Sequence, residues 1–296
     1  MKYTKLITAG VLVAGLWPAL AQAQVSRVFV SVNGNDLNDC LQPTSACRTL
    51  NGGIAKVDTN GEVIVIDTGS FAGASITKGV KINVPSGAIA FSASSVVVNA
   101  PAATVVIRGL TLKAFTPGSG NGIDIQAAGT VLVENSVLDG WSNGIQVQAA
   151  AGAVRLDIKD STFRNNSNDG LLVSAAGALV TVDQSRFERS GFVGLQVTGA
   201  SAASVTRSFF AGNFYGVGVN HAGAVMSVAR STVSGSGDWG AYANPGILRI
   251  AESLITGNNV GIQNGGGATT VESFLDNIVR GNTTNTSGTI TTATRQ

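Results

Sequence analysis

From Gly122 onward, apolar and polar residues alternate over runs of four or five positions before Gly, Asn or Ser interrupts them. Alternation at period two predicts short half-buried strands rather than helices. The runs recur as a Gly-apolar-x-apolar opening, GIDI at Gly122, GIQV at Gly144, GLLV at Gly170, GLQV at Gly194, GVGV at Gly216, GAYA at Gly240 and GIQN at Gly261. A second motif follows each opening, apolar-x-apolar-x-x-Ser-x-apolar-x-x-Asn, and its serine slot holds Leu110, Ser136, Ser161, Ser185, Ser208, Ser231, Ser253 and Asn277. Two residues after the slot stand Leu112, Leu138, Phe163, Phe187, Phe210, Val233, Ile255 and Val279, and three before it Ile107, Val133, Ile158, Val182, Val205, Val228, Ile250 and Phe274. These columns predict the core.

Several short strands in a repeat of about 24 residues suit one turn of a parallel β-solenoid, in which like residues stack at the strand spacing of about 4.8 Å. Because six of the eight slots hold the same side chain, the serines are expected to form a hydrogen-bonding ladder rather than a catalytic site. Ahead of the repeats, Leu50, Ile54 and Val57 fall at helical spacing and predict a short amphipathic helix capping the open end of the core. The first strands, VIVI at 63–66, and two irregular turns between 73 and 104 come next.

Composition changes this picture at the N-terminus. Lys2 and Lys5 precede an apolar run at 6–16 and the small residues Ala21-Gln22-Ala23, the pattern of a secretory signal peptide cleaved after Ala23 or, alternatively, Ala21. No later segment approaches 18 continuous apolar residues, so no transmembrane anchor is expected in the mature chain. With the leader removed, 17 of the 19 basic residues face 17 acidic ones, which argues against nucleic acid or an anionic membrane surface as partner. Cys40 and Cys47, the only cysteines, lie in a polar loop of an exported chain and are expected to pair as a disulfide. A metal site built on two cysteines without a nearby histidine is the weaker alternative. The division is a signal peptide at 1–23, a strand, cysteine loop and capping helix at 24–60, a β-helix at 61–282 and a Thr-rich tail at 283–296.

VSVNGND, ACRTL, GGIAKV, ITKGVKI and VVIRGLTL, together with the repeats, resemble secreted bacterial right-handed parallel β-helix proteins of the pectate-lyase-like superfamily. The resemblance implies an all-β, single-stranded right-handed parallel β-helix of nine to ten turns, a scaffold shared by lyases, hydrolases, epimerases and adhesins. It brings no catalytic set. Of the polygalacturonase motifs, GNGIDI at 120–125 keeps only the structural end of the first; there is no Asp-Asp pair, and the one histidine, His221, sits in NHAG. The pectate lyase motifs WxDH and RxPxxR are missing as well.

Two surfaces carry candidate chemistry. Outward columns run Glu134, Lys159, Asp183, Thr206 and Asp139, Arg164, Glu188, Ala211, which read first as salt-bridge ladders. The enzymatic reading adds Asp157 and gathers Glu134, Asp157 and Asp183 around Lys159. Glu134 and Asp183 would stand about 9.6 Å apart, near the upper end for an inverting glycosidase. Alternatively these acids hold Ca²⁺ while Lys159 or Arg186 takes a proton, as in a lyase. Ca²⁺ enters only with that alternative; otherwise no metal or cofactor is expected. The second surface sets Phe192, Phe214, Tyr215 and Trp239 just before successive first strands, with Gln196, Asn220, His221, Tyr242 and Asn244 on those strands' outward side. Rings with neutral amides beside them suit stacking and hydrogen bonding of sugars, though they also suit a lateral cover for the solenoid. A further amide column, Gln126, Gln146, Gln148 and Gln196, suits either a ligand or a self-bonded row. The expected function is binding of a polysaccharide or cell-surface glycan, by Phe192, Tyr215, Asn220, Trp239 and Tyr242. A polysaccharide lyase or hydrolase, and a surface adhesin or structural module, are the rivals.

Overall fold

The computed structural model describes residues 25–148 and 153–294; the expected signal peptide lies outside them. Each turn of the repeat contributes three strands, exemplified by Val193–Val197, Ala202–Thr206 and Phe209–Ala211. Each pairs in parallel with its counterpart one turn later, so Leu195 stands beside Val217, Val205 beside Val228 and Phe210 beside Val233. The result is three parallel sheets wound along one axis, and the third holds ten strands. First and second sheets are continuous where Val96–Arg108 and Asn121–Glu134 run through the corner, with register shifts after Val98 and Ala100.

The predicted columns form the core. Phe163, Phe187 and Phe210 are fully buried, with consecutive rings stacked at 4.5 and 4.8 Å between centroids. The opening glycines make room for this stack. A Cβ on Gly170 would lie 2.5 Å from the Gly194 carbonyl and 2.7 Å from the Phe187 ring.

Two side-chain ladders close the corners. From Ser161 to Ser253 each slot serine accepts from the backbone N–H of the serine one turn earlier, as in Ser185 N–H to Ser208 Oγ at 3.2 Å and Ser208 N–H to Ser231 Oγ at 3.1 Å. Its hydroxyl donates to the carbonyl two residues back, Ser208 to Thr206 at 2.8 Å. This bonding holds the preceding residue in the left-handed region, with φ between 47° and 51° at Asn135, Asp160, Gln184, Arg207, Arg230 and Glu252. A non-glycine residue there costs about 1 kcal/mol or more, so the corner persists because the serine over-determines it.

Five residues after the slot runs a second ladder. Asn213 accepts from Ser190 N–H at 2.8 Å and donates to the Phe187 carbonyl at 2.9 Å. Asn258 and Asn282 repeat this with the Val233 and Ile255 carbonyls. At Trp141 the indole N–H takes over the donor role, reaching the Leu112 carbonyl at 2.9 Å. Ser190 and Ser236 are too short to do either, and their buried hydroxyls find no partner.

At the N-terminal end, Arg27–Val30 pairs with Glu62–Val65 and helix α1 (Leu50–Lys56) lies over them. The Thr49 hydroxyl caps α1 by accepting from Gly52 N–H at 2.9 Å, and Asp36 fixes Thr49 in turn. Leu50, Ile54 and Val57 are buried as the spacing predicts. Cys40 and Cys47 form a disulfide with Cα atoms 5.1 Å apart. At the other end the segment read as a tail adds two more strands, Thr284–Ser287 on Val260–Asn264 and Thr291–Ala293 on Thr269–Phe274. These strands are built from threonine and serine, which pleat well without an apolar column to announce them.

Ser190→Asn should complete the second ladder, accepting from Asn166 N–H and donating to the Phe163 carbonyl. Two added hydrogen bonds at about 1 kcal/mol each predict a higher urea midpoint; an unchanged or lowered midpoint would contradict the ladder assignment.

Candidate functional site

The charged columns have the expected register, with Lys159 beside both Glu134 and Asp183 and Arg164 beside Asp139 and Glu188. Their partners differ from the cluster imagined around one amine. Glu134 bonds Arg108 Nε at 2.8 Å, Asp157 bonds Arg155 at 2.9 Å, and Asp183 accepts from Thr206 Oγ1 at 2.6 Å and pairs with Arg207. Arg186 pairs with Glu188 and lies over the Phe209 ring, 4.7 Å from its centroid. None of the ion pairs among the described residues uses Lys159, which is exposed. Partial burial raises the Asp183 pKa, but the Thr206 hydroxyl, Arg207 and Lys159 outweigh it and hold the group below its ordinary range. A carboxylate held ionised in this way is a poor general acid. Among the described residues, no three metal-ligating side chains cluster.

The aromatic residues do converge. On the outer face of the first sheet, Tyr215 stacks on Trp239 with centroids 4.7 Å apart and meets Phe192 and Phe214 edge-on at 5.3 and 4.6 Å. Phe192 and Phe214 are 37% and 44% exposed, and Tyr215 and Trp239 are half-buried. Tyr242, expected on the open side, is only 3% exposed. Its ring underlies the platform, 5.3 Å from both Tyr215 and Trp239. The cause is Gly218, its register partner one turn earlier. A Cβ there would sit 2.1 Å from the Tyr242 ring. Without it, the phenol lies flat and its hydroxyl accepts from Gln196 Nε2 at 2.8 Å. Asn220 is exposed and lies just beyond the end of the strand Tyr215–Val219, outside the group of touching rings.

Toward the N-terminal turns the same face becomes an amide network. Asp124 accepts from Asn121 at 3.1 Å, Gln126 at 3.0 Å and Gln148 at 2.6 Å. Gln146 accepts from Asn121 at 2.9 Å, and Asn143 donates to Asn121 at 3.0 Å. The glutamines at 126, 146 and 148 therefore bond within this row, whereas Gln196 serves Tyr242.

Between network and platform lies Asp169, which the sequence reading did not single out. It occupies the position before an opening glycine, the one held by Asn143 a turn earlier and by Val193, Tyr215 and Trp239 in later turns. It is 1% exposed, accepting from Val193 N–H at 2.9 Å. Burial raises its pKa from 3.8 to about 7, against the smaller opposing effect of that bond. Between about pH 4 and 7 the folded chain thus keeps a proton that the unfolded chain has lost, and stability falls as pH rises through this window. Asp169→Asn keeps the acceptor and removes the ionisation. It should match the native protein in stability near pH 4 and exceed it by about 4 kcal/mol at pH 8. Urea unfolding at both pH values checks this; an equal difference at the two would contradict it.

A model of the family described as a right-handed beta helix region matches residues 143–294. None of the curated proteins matches the chain in sequence. Among solved structures, XylC in complex with xylose superposes with a TM-score of 0.58 over 85% of this chain and 69% of its own, at 7% identity. Pectate lyase Pel9A gives 0.50 over 87% and 71% at 15% identity. A rhamnogalacturonan lyase gives 0.50 over 79% and 75% at 10% identity. At such identities the likeness is one of fold. With the family match running over more than half the chain, through turns stacked in unbroken register, this protein belongs to the right-handed β-helix family.

Proposed function

We propose that this protein binds a polysaccharide or cell-envelope glycan outside the cell, without cleaving it. The carrying observation is the platform of Phe192, Phe214, Tyr215 and Trp239, whose rings touch one another and are partly open on one outer face. Aromatic faces stack on the C–H faces of sugar rings, and the neighbouring amides supply donors and acceptors for hydroxyls. The acids on the second sheet pair with Arg108, Arg155 and Arg207 and act in register-fixing ion pairs, each worth about 0.2 to 1 kcal/mol. The fold neighbours support the ligand class by what they are, a protein solved with xylose and two polysaccharide lyases. Export is supported by the Cys40 to Cys47 disulfide, which persists in oxidising compartments. No helix among the described residues is long and apolar enough to cross a membrane.

The test is affinity electrophoresis on neutral and acidic polysaccharides, with and without Ca²⁺, alongside assays for new reducing ends and unsaturated products. Trp239→Ala and Tyr242→Ala should each weaken retention about tenfold, equivalent to about 1.4 kcal/mol, while Asp157→Asn and Lys159→Ala leave it unchanged. Turnover that disappears in Asp157→Asn or Lys159→Ala would overturn this reading in favour of an enzyme.

A further inference from the structure

Asp169 is a buried acid without a cation: no ion pair among the described residues includes it. Strands on either side face it. Asn143–Val147 brings the uncharged Asn143, whose Oδ1 accepts from the Asp169 N–H at 3.2 Å. Val193–Val197 brings the Val193 N–H and the uncharged Gln196. Trp239–Ala243 brings Tyr242, whose phenol is pushed to a higher pKa by its own burial and then by the charge of Asp169. Beyond it Tyr215–Val219 brings Tyr215, which touches Tyr242 and also feels Asp238. None of these groups is a cation, and the titratable one that feels the charge of Asp169 is the phenol of Tyr242.

The observed arrangement belongs to the neutral carboxyl. One backbone N–H meets Asp169 Oδ1, and the Tyr242 hydroxyl is engaged as an acceptor by Gln196. A buried carboxylate needs more donors than that. A hydroxyl that accepts one bond still has a proton to give, and Asp169 and Tyr242 already bond one and the same strand, at the Val193 N–H and at the Gln196 side chain.

We propose that Asp169 is a positioning residue that makes the aromatic platform responsive to pH. With its carboxyl neutral, Gln196 holds Tyr242 under Tyr215 and Trp239. When it ionises, the Tyr242 hydroxyl swings to donate to it and the rings above lose their support. The inference rests on the platform being the glycan site, and it names the regulation of that site. With ionisation centred at about pH 7, about a tenth of the protein keeps the neutral carboxyl at pH 8. Affinity should then be about tenfold weaker at pH 8 than at pH 5.5.

The test reads two signals between pH 5.5 and 8: tryptophan emission of the ligand-free protein, and affinity for soluble xylan and polygalacturonate. Histidine titrates in the same range, so the measurements use a His221→Gln background, which removes the only imidazole. The mature chain holds Trp141 and Trp239. Emission should step near pH 7, the step should vanish in Trp239→Phe, and Asp169→Asn should show neither the step nor the loss of affinity. Tyr242→Phe keeps the ring and removes the hydroxyl, so it should also abolish the step, and it serves if Asp169→Asn does not fold. A flat emission profile, or a step that survives Asp169→Asn, Tyr242→Phe or Trp239→Phe, overturns the proposal whatever the glycans do. A step that depends on Asp169 and Tyr242 with neither glycan retained at any pH leaves the coupling standing and removes the glycan reading instead.

Discussion

Everything in this protein depends on one turn lying over the next in strict register. A single turn cannot satisfy its own backbone: the N–H of one slot serine is taken up by the hydroxyl of the next, and the N–H of Ser190 by the amide of Asn213. Nor can it cover its own core, since each phenylalanine buries a face against the ring above or below. The constraint is severe because strand side chains alternate between faces, so a slip of one residue would send every core residue into water. The left-handed corner residues are what this constraint costs, and the serine ladder offsets it turn by turn.

The candidate site inherits this order. Tyr242 bonds a glutamine two turns away, which requires that Gln196, Gly218 and Tyr242 stand one above another. Were the register loose, the phenol would find neither its partner nor the gap left by Gly218. The platform above it is thus a rigid element of the solenoid, and rigid aromatic surfaces bind with little entropy lost on ordering.

This dependence also explains what was legible in the sequence. Columns are visible because register forces like residues into like positions, so Phe163, Phe187 and Phe210, the slot serines and the grouping of Phe192, Tyr215 and Trp239 could be read directly from spacing. Contacts that run diagonally could not. Arg207 reaches down a turn to Asp183, and Arg155 reaches along its own strand to Asp157. Long flexible side chains choose partners by reach, so the column Glu134, Lys159, Asp183 looked like a cluster although each acid is held by an arginine. The burial of Tyr242 was hidden for a related reason: GVGV reads as one more opening, and only the stacked turn shows that its second glycine leaves space for a ring. Asp169 stood alone in a column of amides, valine and aromatics, and nothing local marks an acid whose environment is supplied by three other turns.

The two outer surfaces differ in how they hold charge, and the proposed division into structural and ligand-facing groups rests on that difference. On the second and third sheets and the corner between them, carboxylates meet guanidinium groups at 3.2 Å or less, and such pairs have little left to offer a ligand. On the first sheet the polar groups include amides, two phenols and two acids outside every ion pair among the described residues, Asp124 held by neutral donors and Asp169 by a backbone N–H. Neutral donors and acceptors exchange water for sugar hydroxyls at small cost, because no charge has to be desolvated. A face whose one buried acid stands between an amide row and aromatic rings, with a single backbone donor and no cationic partner among the described residues, is suited to an uncharged ligand, and it becomes least favourable to itself when that acid ionises.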